Sequence, residues 1–247
     1  MNDTEVITLL WSGGWDSTFR ILQLAIIEKR RVQPVYVYDK RRKSRYYELH
    51  AIHNVLAGLL KDFPEFSQRI QPLKMINKSG LRKYGELTRY FARLDQTYRL
   101  GIQYLWFARL CRQHKIDNLE ICFVRHDVDT TPEFNRLLEK HVEGAGHECR
   151  IKTFPENGYL ELFRAFRFPT LHISKIEMGK TAMQYGFHHL LVMSWYCFNP
   201  TPDGSPCGVC RPCQLAVNSG NQYSLNPGIH KPPARSFLYH IINNLLR

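Results

Sequence analysis

The sequence predicts an α/β fold in which a parallel sheet is covered by helices on both faces. Three observations predict it. Short apolar, β-branched runs alternate with helical stretches along most of the chain, which places crossover helices between parallel strands. The first run, residues 5–11 (EVITLLW), passes through a Gly-Gly pair straight into an amphipathic helix. The chain has 247 residues, 44% of them hydrophobic, enough for one α/β domain with a sizeable core, or one domain with an appendage.

The elements follow in order. The first helix is expected over residues 17–28 and the second strand over 33–38 (QPVYVY). A helix over 46–62 places Leu49, Ile52, His53, Leu56, Leu59 and Leu60 on one face, and Pro64 stops it. A third strand is expected over 70–75. Residues 77–93 fit no single pattern. One apolar helix is expected over 97–114, with Arg99 in its first turn, and a fourth strand over 118–124. Thr131-Pro132 reads as an N-cap and first helical position, opening a helix to about residue 142. A short strand follows over 149–154. Ser174-Lys175-Ile176-Glu177 is a capping box for a helix ending near Tyr185, with Gly186 as its C-cap. Residues 190–195 are read as the last core strand and 235–246 as a final helix. The division expected is an α/β domain over 1–195, with an appendage over 196–247 packed on it.

Chemistry concentrates first in Ser12-Gly13-Gly14-Trp15-Asp16-Ser17. A Gly pair between a buried strand and a helix lets the backbone turn tightly and aim N–H groups at one spot. The helix adds its positive end, and Ser12, Ser17 and Thr18 add hydroxyls. The product is an anion cradle sized for phosphate. It lacks the Gly-Lys-Ser/Thr ending of the Walker loop. An ordinary strand-to-helix turn is the plain alternative.

The second constellation is Cys197, Cys207, Cys210 and Cys213, spaced C-x9-C-x2-C-x2-C among turn-forming residues. Four thiolates suit a closed tetrahedral Zn²⁺ site, and an iron–sulfur cluster would use the same ligands. Such a segment buries too little surface to fold alone, so a metal would hold it. Cys111, Cys122 and Cys149 fall in expected helix or strand and read as small buried apolar residues.

The formal charge is +12, high for an enzyme acting only on a small molecule. Lys40-Arg41-Arg42-Lys43-Ser44-Arg45 follows the second strand, so it either flanks a nucleotide site, meets a polyanion such as RNA, or is a solvated loop. No apolar run reaches the ~18–20 residues needed to span a bilayer. The N-terminal residues carry neither a basic nor an apolar leader pattern, so a cytoplasmic location without a membrane partner is expected.

The hexapeptide resembles the SGGxDS signature of the PP-loop ATP pyrophosphatases. Combined with the C-terminal cysteines, including Cys207-Gly208-Val209-Cys210, it resembles the QueC family of 7-cyano-7-deazaguanine synthases. Ser194-Trp195-Tyr196-Cys197 is similar to that family's approach to its first zinc cysteine, and Lys175 to a family lysine in a like place. The resemblance implies an adenine nucleotide α-hydrolase-like fold. It implies ATP on Ser12, Gly13, Gly14, Asp16, Ser17 and Thr18, with adenine along Val37, Tyr38 and Asp39. Asp16 would ligate Mg²⁺ or brace the loop, and Asp16, Ser17 and Lys175 would serve catalysis. Zn²⁺ would sit on the four cysteines. A purine-like carboxylate would be adenylated and converted with ammonia to an amide and a nitrile, releasing AMP and pyrophosphate. His126, Asp127, Asp129 and Arg99 are the candidates for holding that substrate. A homodimer is expected.

The region after the fourth strand departs from the family. Residues 124–134 keep its Pro-Glu-Phe tail but not its deazaguanine-holding stretch, and Ala216 stands near the place of an expected arginine. Three other readings therefore stand: a PP-loop enzyme that modifies RNA, a defence-associated relative that attaches a deazaguanine to a protein partner, and a non-catalytic nucleotide-binding module.

Overall fold

A computed structural model of the chain describes residues 5–125 and 133–218. Thr131-Pro132, the helix expected over 235–246, and the candidates His126, Asp127 and Asp129 lie outside the described residues.

Among the described residues five parallel strands form the sheet, in the order β3-β2-β1-β4-β7. They are β1 (Val6–Leu10), β2 (Arg31–Tyr38), β3 (Lys74–Asn77), β4 (Leu119–Glu120) and β7 (Phe166–Arg167). A separate antiparallel pair joins β5 (Val142–Glu143) to β6 (Arg150–Ile151). The period-two alternation of a strand sends neighbouring side chains of β2 to opposite faces. Val32 and Tyr36 enter one core, while Val35 and Val37 enter the other. The first core is closed by α1 (Trp15–Leu22), α2 (Arg45–Asp62), α7 (Lys175–Gln184) and α8 (His188–Leu191). The second is closed by α4 (Gly85–Tyr98), α5 (Gln103–His114) and α6 (Glu133–His141). The short helices α3 (Pro64–Ser67) and α9 (Arg211–Asn218) complete the set among the described residues.

Several expectations need correction. Residues 97–114 are not one helix. Arg99 ends α4 in the left-handed region (φ 49°), and α5 starts four residues later. Leu60 is 62% exposed, and Ala51 and Val55 are buried on α2 instead. Its neighbour Leu59 is fully buried, a placement worth roughly 1.5–3 kcal/mol over exposure. The third strand starts at Lys74, with only a single bridge earlier, at Ile70. Residues 190–195 are not a strand. Leu190 and Leu191 complete α8, and the chain continues in turns to Trp195. Short apolar runs do not distinguish a buried helix from a buried strand. The fifth strand is β7, whose two residues pair with β4.

The sheet opens at its centre. β4 pairs with β1 only at Leu9 and Glu120. Beyond that point side chains take the carbonyls: Thr170 Oγ1 donates to Phe123 O (2.7 Å) and Asn135 Nδ2 to Val124 O (2.9 Å). Further back, Arg20 of α1 makes a two-pronged pair with Glu120, both contacts 2.8 Å. Both side chains are almost fully buried, so losing Arg20 would leave the Glu120 carboxylate buried without its ion partner, while Arg20 also pairs with Glu28. The pair fixes α1 against β4. α1 then runs on through a π-helical turn, Gln23–Ile27.

Candidate active site and cysteine centre

The site sits beyond the carboxyl ends of β1, β2 and β4, where open α/β sheets take their ligands. β1 ends at Leu10, and Gly14 caps α1 with extended backbone. Gly13 between them has φ +73°, and a Cβ there would lie 2.6 Å from the Glu48 carbonyl oxygen. Only glycine meets both demands. Ser17 Oγ lies 3.2 Å from Ser12 Oγ, donates to Gly14 O at 3.2 Å, and accepts from Ser12 N at 3.3 Å. The turn is thus tied across its base. Thr18 is a correction to the expected cradle. It is fully buried, and its hydroxyl accepts from the Trp11 indole at 3.1 Å, so it braces the turn from behind.

Two adjoining cavities open here, of about 220 and 260 Å³. Ser12, Gly14 and Asp16 border both. The first cavity runs between the splayed ends of β1 and β4, under Tyr104 and Phe107 of α5, with Val37 and Phe123 in its walls. Tyr104 stacks on Phe123 (centroids 5.2 Å apart, 17° between planes). Burial pushes the Tyr104 phenol up to about 12. The second cavity is bounded by Lys175, Ser194, Trp195 and Tyr196.

Asp16 and Lys175 meet at the junction. Lys175 Nζ lies 3.5 Å from Asp16 Oδ1, a buried oxygen with no hydrogen-bond partner. Held by that ion pair and by no hydrogen bond, the oxygen keeps lone pairs that suit a cation. Lys175 is placed by the expected capping box: Ser174 Oγ accepts from Glu177 N, and Ser174 N donates to Glu177 Oε2 at 2.7 Å. That backbone N–H holds the Glu177 carboxyl below its ordinary range, with the Arg125 ion pair (2.9 Å) assisting.

Other expected residues stand back. Tyr38 borders neither cavity; it lies beneath the Arg45 guanidinium, 5.8 Å from its ring centre. Asp39 is ion-paired with Lys78, whose hydrogen bond lowers its pKa. Arg99 is exposed and borders neither cavity.

The structure adds Glu48 and Phe198, and it picks Arg42 out of the basic run at 40–45. Arg42, Glu48 and Phe198 border both cavities. Glu48 is buried, accepting from Tyr36 Oη (2.5 Å) and Ser44 Oγ (2.8 Å). A signal existed for Glu48. It shares the i, i+4, i+7, i+11 stripe of Ile52, Val55 and Leu59, so it reads as a buried charge in need of partners.

The cysteine loop adjoins the same wall. Trp195 N donates to Gly13 O at 2.8 Å, and the Trp195 ring stacks on Tyr47 of α2 (4.6 Å, 22°). Cys197 and Cys213 are buried against this platform with Ala51. The four Sγ atoms of Cys197, Cys207, Cys210 and Cys213 lie within 4.8 Å of one another. Separations of 3.4–3.9 Å are found for three of the pairs. A tetrahedron with Zn–S bonds of about 2.3 Å has edges of about 3.8 Å. Backbone N–H groups aim at the sulfurs, Cys207 N at Cys197 Sγ (3.2 Å) and Cys210 N at Cys207 Sγ (3.3 Å). The donor set and its spacing fit a tetrahedral thiophilic cation. Cys111 and Cys149 are buried, as expected, and Cys122 lines the first cavity.

No helix of the described residues is long and apolar enough to cross a membrane. Three similar proteins bear the name 7-cyano-7-deazaguanine synthase. That of Rhizorhabdus wittichii is 40% identical over 47 residues, 19% of this chain and 20% of the relative. That of Novosphingobium aromaticivorans is 37% identical over 60 residues, 24% and 25% of the two chains. That of Syntrophotalea carbinolica is 40% identical over 49 residues, 20% of each. The chain thus spans a fifth to a quarter of the length of the curated relatives it matches. Family membership has a broader base: the model for queuosine biosynthesis protein QueC matches residues 6–223, and with the glycine turn and four-cysteine centre in place the chain belongs to the QueC family.

Proposed function

We propose that this chain is a cytoplasmic ATP-dependent carbon–nitrogen ligase. It adenylates 7-carboxy-7-deazaguanine or an analogue, then forms the amide and nitrile with ammonia. The observation that supports this most is the Gly13-Gly14 turn at the end of β1, opening onto two adjoining cavities. The polyphosphate rests on Ser12, Gly13, Gly14 and Ser17, facing the first-turn N–H groups that an α-helix leaves without intrahelical acceptors. Val37 and the aromatic wall support the adenine. Asp16 holds Mg²⁺, which when bound offsets charge on the leaving pyrophosphate. Lys175 adds a positive charge at the same junction. The thiolates of Cys197, Cys207, Cys210 and Cys213 hold a structural Zn²⁺.

The substrate carboxylate oxygen bonds to the α-phosphorus, and pyrophosphate leaves. Ammonia attacks the acyl carbon, AMP leaves, and a proton is lost, giving the amide. Adenylation of the amide oxygen by a second ATP releases pyrophosphate, and loss of AMP and of both amide-nitrogen protons gives the nitrile. Positioning and fixed charge do most of this work.

Incubation with ATP, Mg²⁺, ammonia and 7-carboxy-7-deazaguanine, followed by mass analysis, tests the reading. Amide, nitrile and AMP are expected. Asp16→Ala should abolish AMP formation while changing stability by no more than ~1 kcal/mol, the worth of a helix N-terminal carboxylate. AMP formation at the normal rate by this variant would remove Asp16 from the mechanism.

A further inference from the structure

Among the described residues six border both cavities, and three of these belong to the glycine turn. The other three, Arg42, Glu48 and Phe198, form one connected unit that the mechanism above leaves unused. Arg42 Nε donates to Ser44 Oγ at 2.8 Å, and Nη2 lies 3.1 Å from Glu48 Oε1. The guanidinium carbon stands 4.6 Å from the centre of the Phe198 ring. Phe198 directly follows the metal-ligand candidate Cys197. One edge of the guanidinium is therefore fixed by α2, and one face by the cysteine loop. The Arg42 side chain is still 33% exposed, whereas Glu48 beneath it is 7% exposed.

This arrangement presents a held cation to the space that the turn also faces. A planar guanidinium matches phosphate through paired N–H donors, and stacking lowers the freedom it loses on binding. The glycine turn carries no lysine of its own. Among the described residues Lys175 and Arg42 are the cations that border the second cavity, and Arg42 also borders the first.

We propose that Arg42 is a phosphate-binding residue of this site, gripping the polyphosphate of ATP, and that Phe198 couples its position to the cysteine loop. The inference rests on the nucleotide reading above. Its test measures ATP and AMP affinity by calorimetry on the full, zinc-loaded chain and its variants. Arg42→Gln should weaken ATP binding about ten- to a hundredfold and AMP binding no more than about twofold, since a single phosphate engages the clamp less. Phe198→Leu should weaken ATP binding about three- to tenfold, and the double variant should bind ATP about as weakly as Arg42→Gln alone, because coupled residues are not additive. Zinc content and Tm report folding. Should Arg42→Gln fail to fold, Arg42→Lys carries the same comparison, since it keeps a charge beside Glu48 and loses the fork.

Unchanged ATP affinity in the folded Arg42 variant overturns the assignment and leaves the nucleotide site standing. Equal loss of ATP and AMP also overturns it, because that marks a structural role. Additive losses in the double variant break the link to Phe198. A wild-type chain that binds neither nucleotide overturns the nucleotide reading and this inference with it.

Discussion

The glycine turn and the cysteine loop line the same wall, yet different forces hold them. The turn after β1 is an extension of the sheet. Trp11 N still pairs with Val35 O at 2.9 Å, and serine hydroxyls tie the next six residues together. Its shape is a property of the folded chain alone. The loop from Cys197 to Cys213 has little regular backbone of its own. Its four sulfurs converge from a platform of Trp195, Tyr47 and Ala51, and bringing thiolates together without a cation is electrostatically costly. One turn is made by stereochemistry, and the other carries a donor set built for coordination.

The largest expected effect separates the two. Cys213→Ser, at a buried ligand position, should abolish stoichiometric metal and cost at least ~5 kcal/mol, lowering the Tm by about 10–20 °C. Metal analysis with thermal melting checks it. Hydrogen exchange should then show the loop open while β1 and β2 stay protected. Collapse of both together would mean that the turn also depends on coordination.

Gly13→Ala probes the other side of the comparison. It forces a side chain into φ +73° and against the Glu48 carbonyl. The cost should be about 2–4 kcal/mol in denaturant unfolding, with metal content unchanged. A loss under ~0.5 kcal/mol would show that the turn yields easily and that its stereochemistry is not decisive.

The capping box that places Lys175 gives the smallest effect. Glu177 has its pKa lowered by the Ser174 N–H, so the unfolded chain holds the proton more tightly than the folded one. Its contribution is present above the unfolded glutamate pKa and is lost as pH falls through the depressed folded value. Glu177→Gln should flatten that acid limb and cost about 0.5–1 kcal/mol at neutral pH. Titration of stability from pH 6 to ~3 checks it, and an unaltered acid limb would rule out the capping carboxylate as its source.

What could be read from the chain divides along the sheet. β1, its turn, β2, α2 and the box opening α7 were legible, because local chemistry dictates each: Gly-Gly after an apolar run, a serine cap three residues before glutamate, four cysteines at ligand spacing. The β4 side was not. β4 and β7 are two residues each, below the length at which alternation can be seen. Past β4, Thr170 and Asn135, distant in sequence, take the Phe123 and Val124 carbonyls in place of a neighbouring strand. The break at Arg99 also escaped notice, since both flanking helices are amphipathic and no proline marks the join. Arg42 was visible only as part of a basic run, and its selection over Arg41 or Lys43 depends on Phe198, more than 150 residues away.

The parting of β1 from β4 has an evolutionary consequence. The β1 bank carries the glycine turn, whereas the segment after β4 is held by Thr170 and Asn135, which take the Phe123 and Val124 carbonyls. A lineage could therefore rewrite the bank that follows β4, and with it the acceptor being activated, while the opposite bank goes on handling the same fuel. Divergence within such a family would then fall unevenly, leaving the energy-coupling half recognisable long after the choice of cargo has changed.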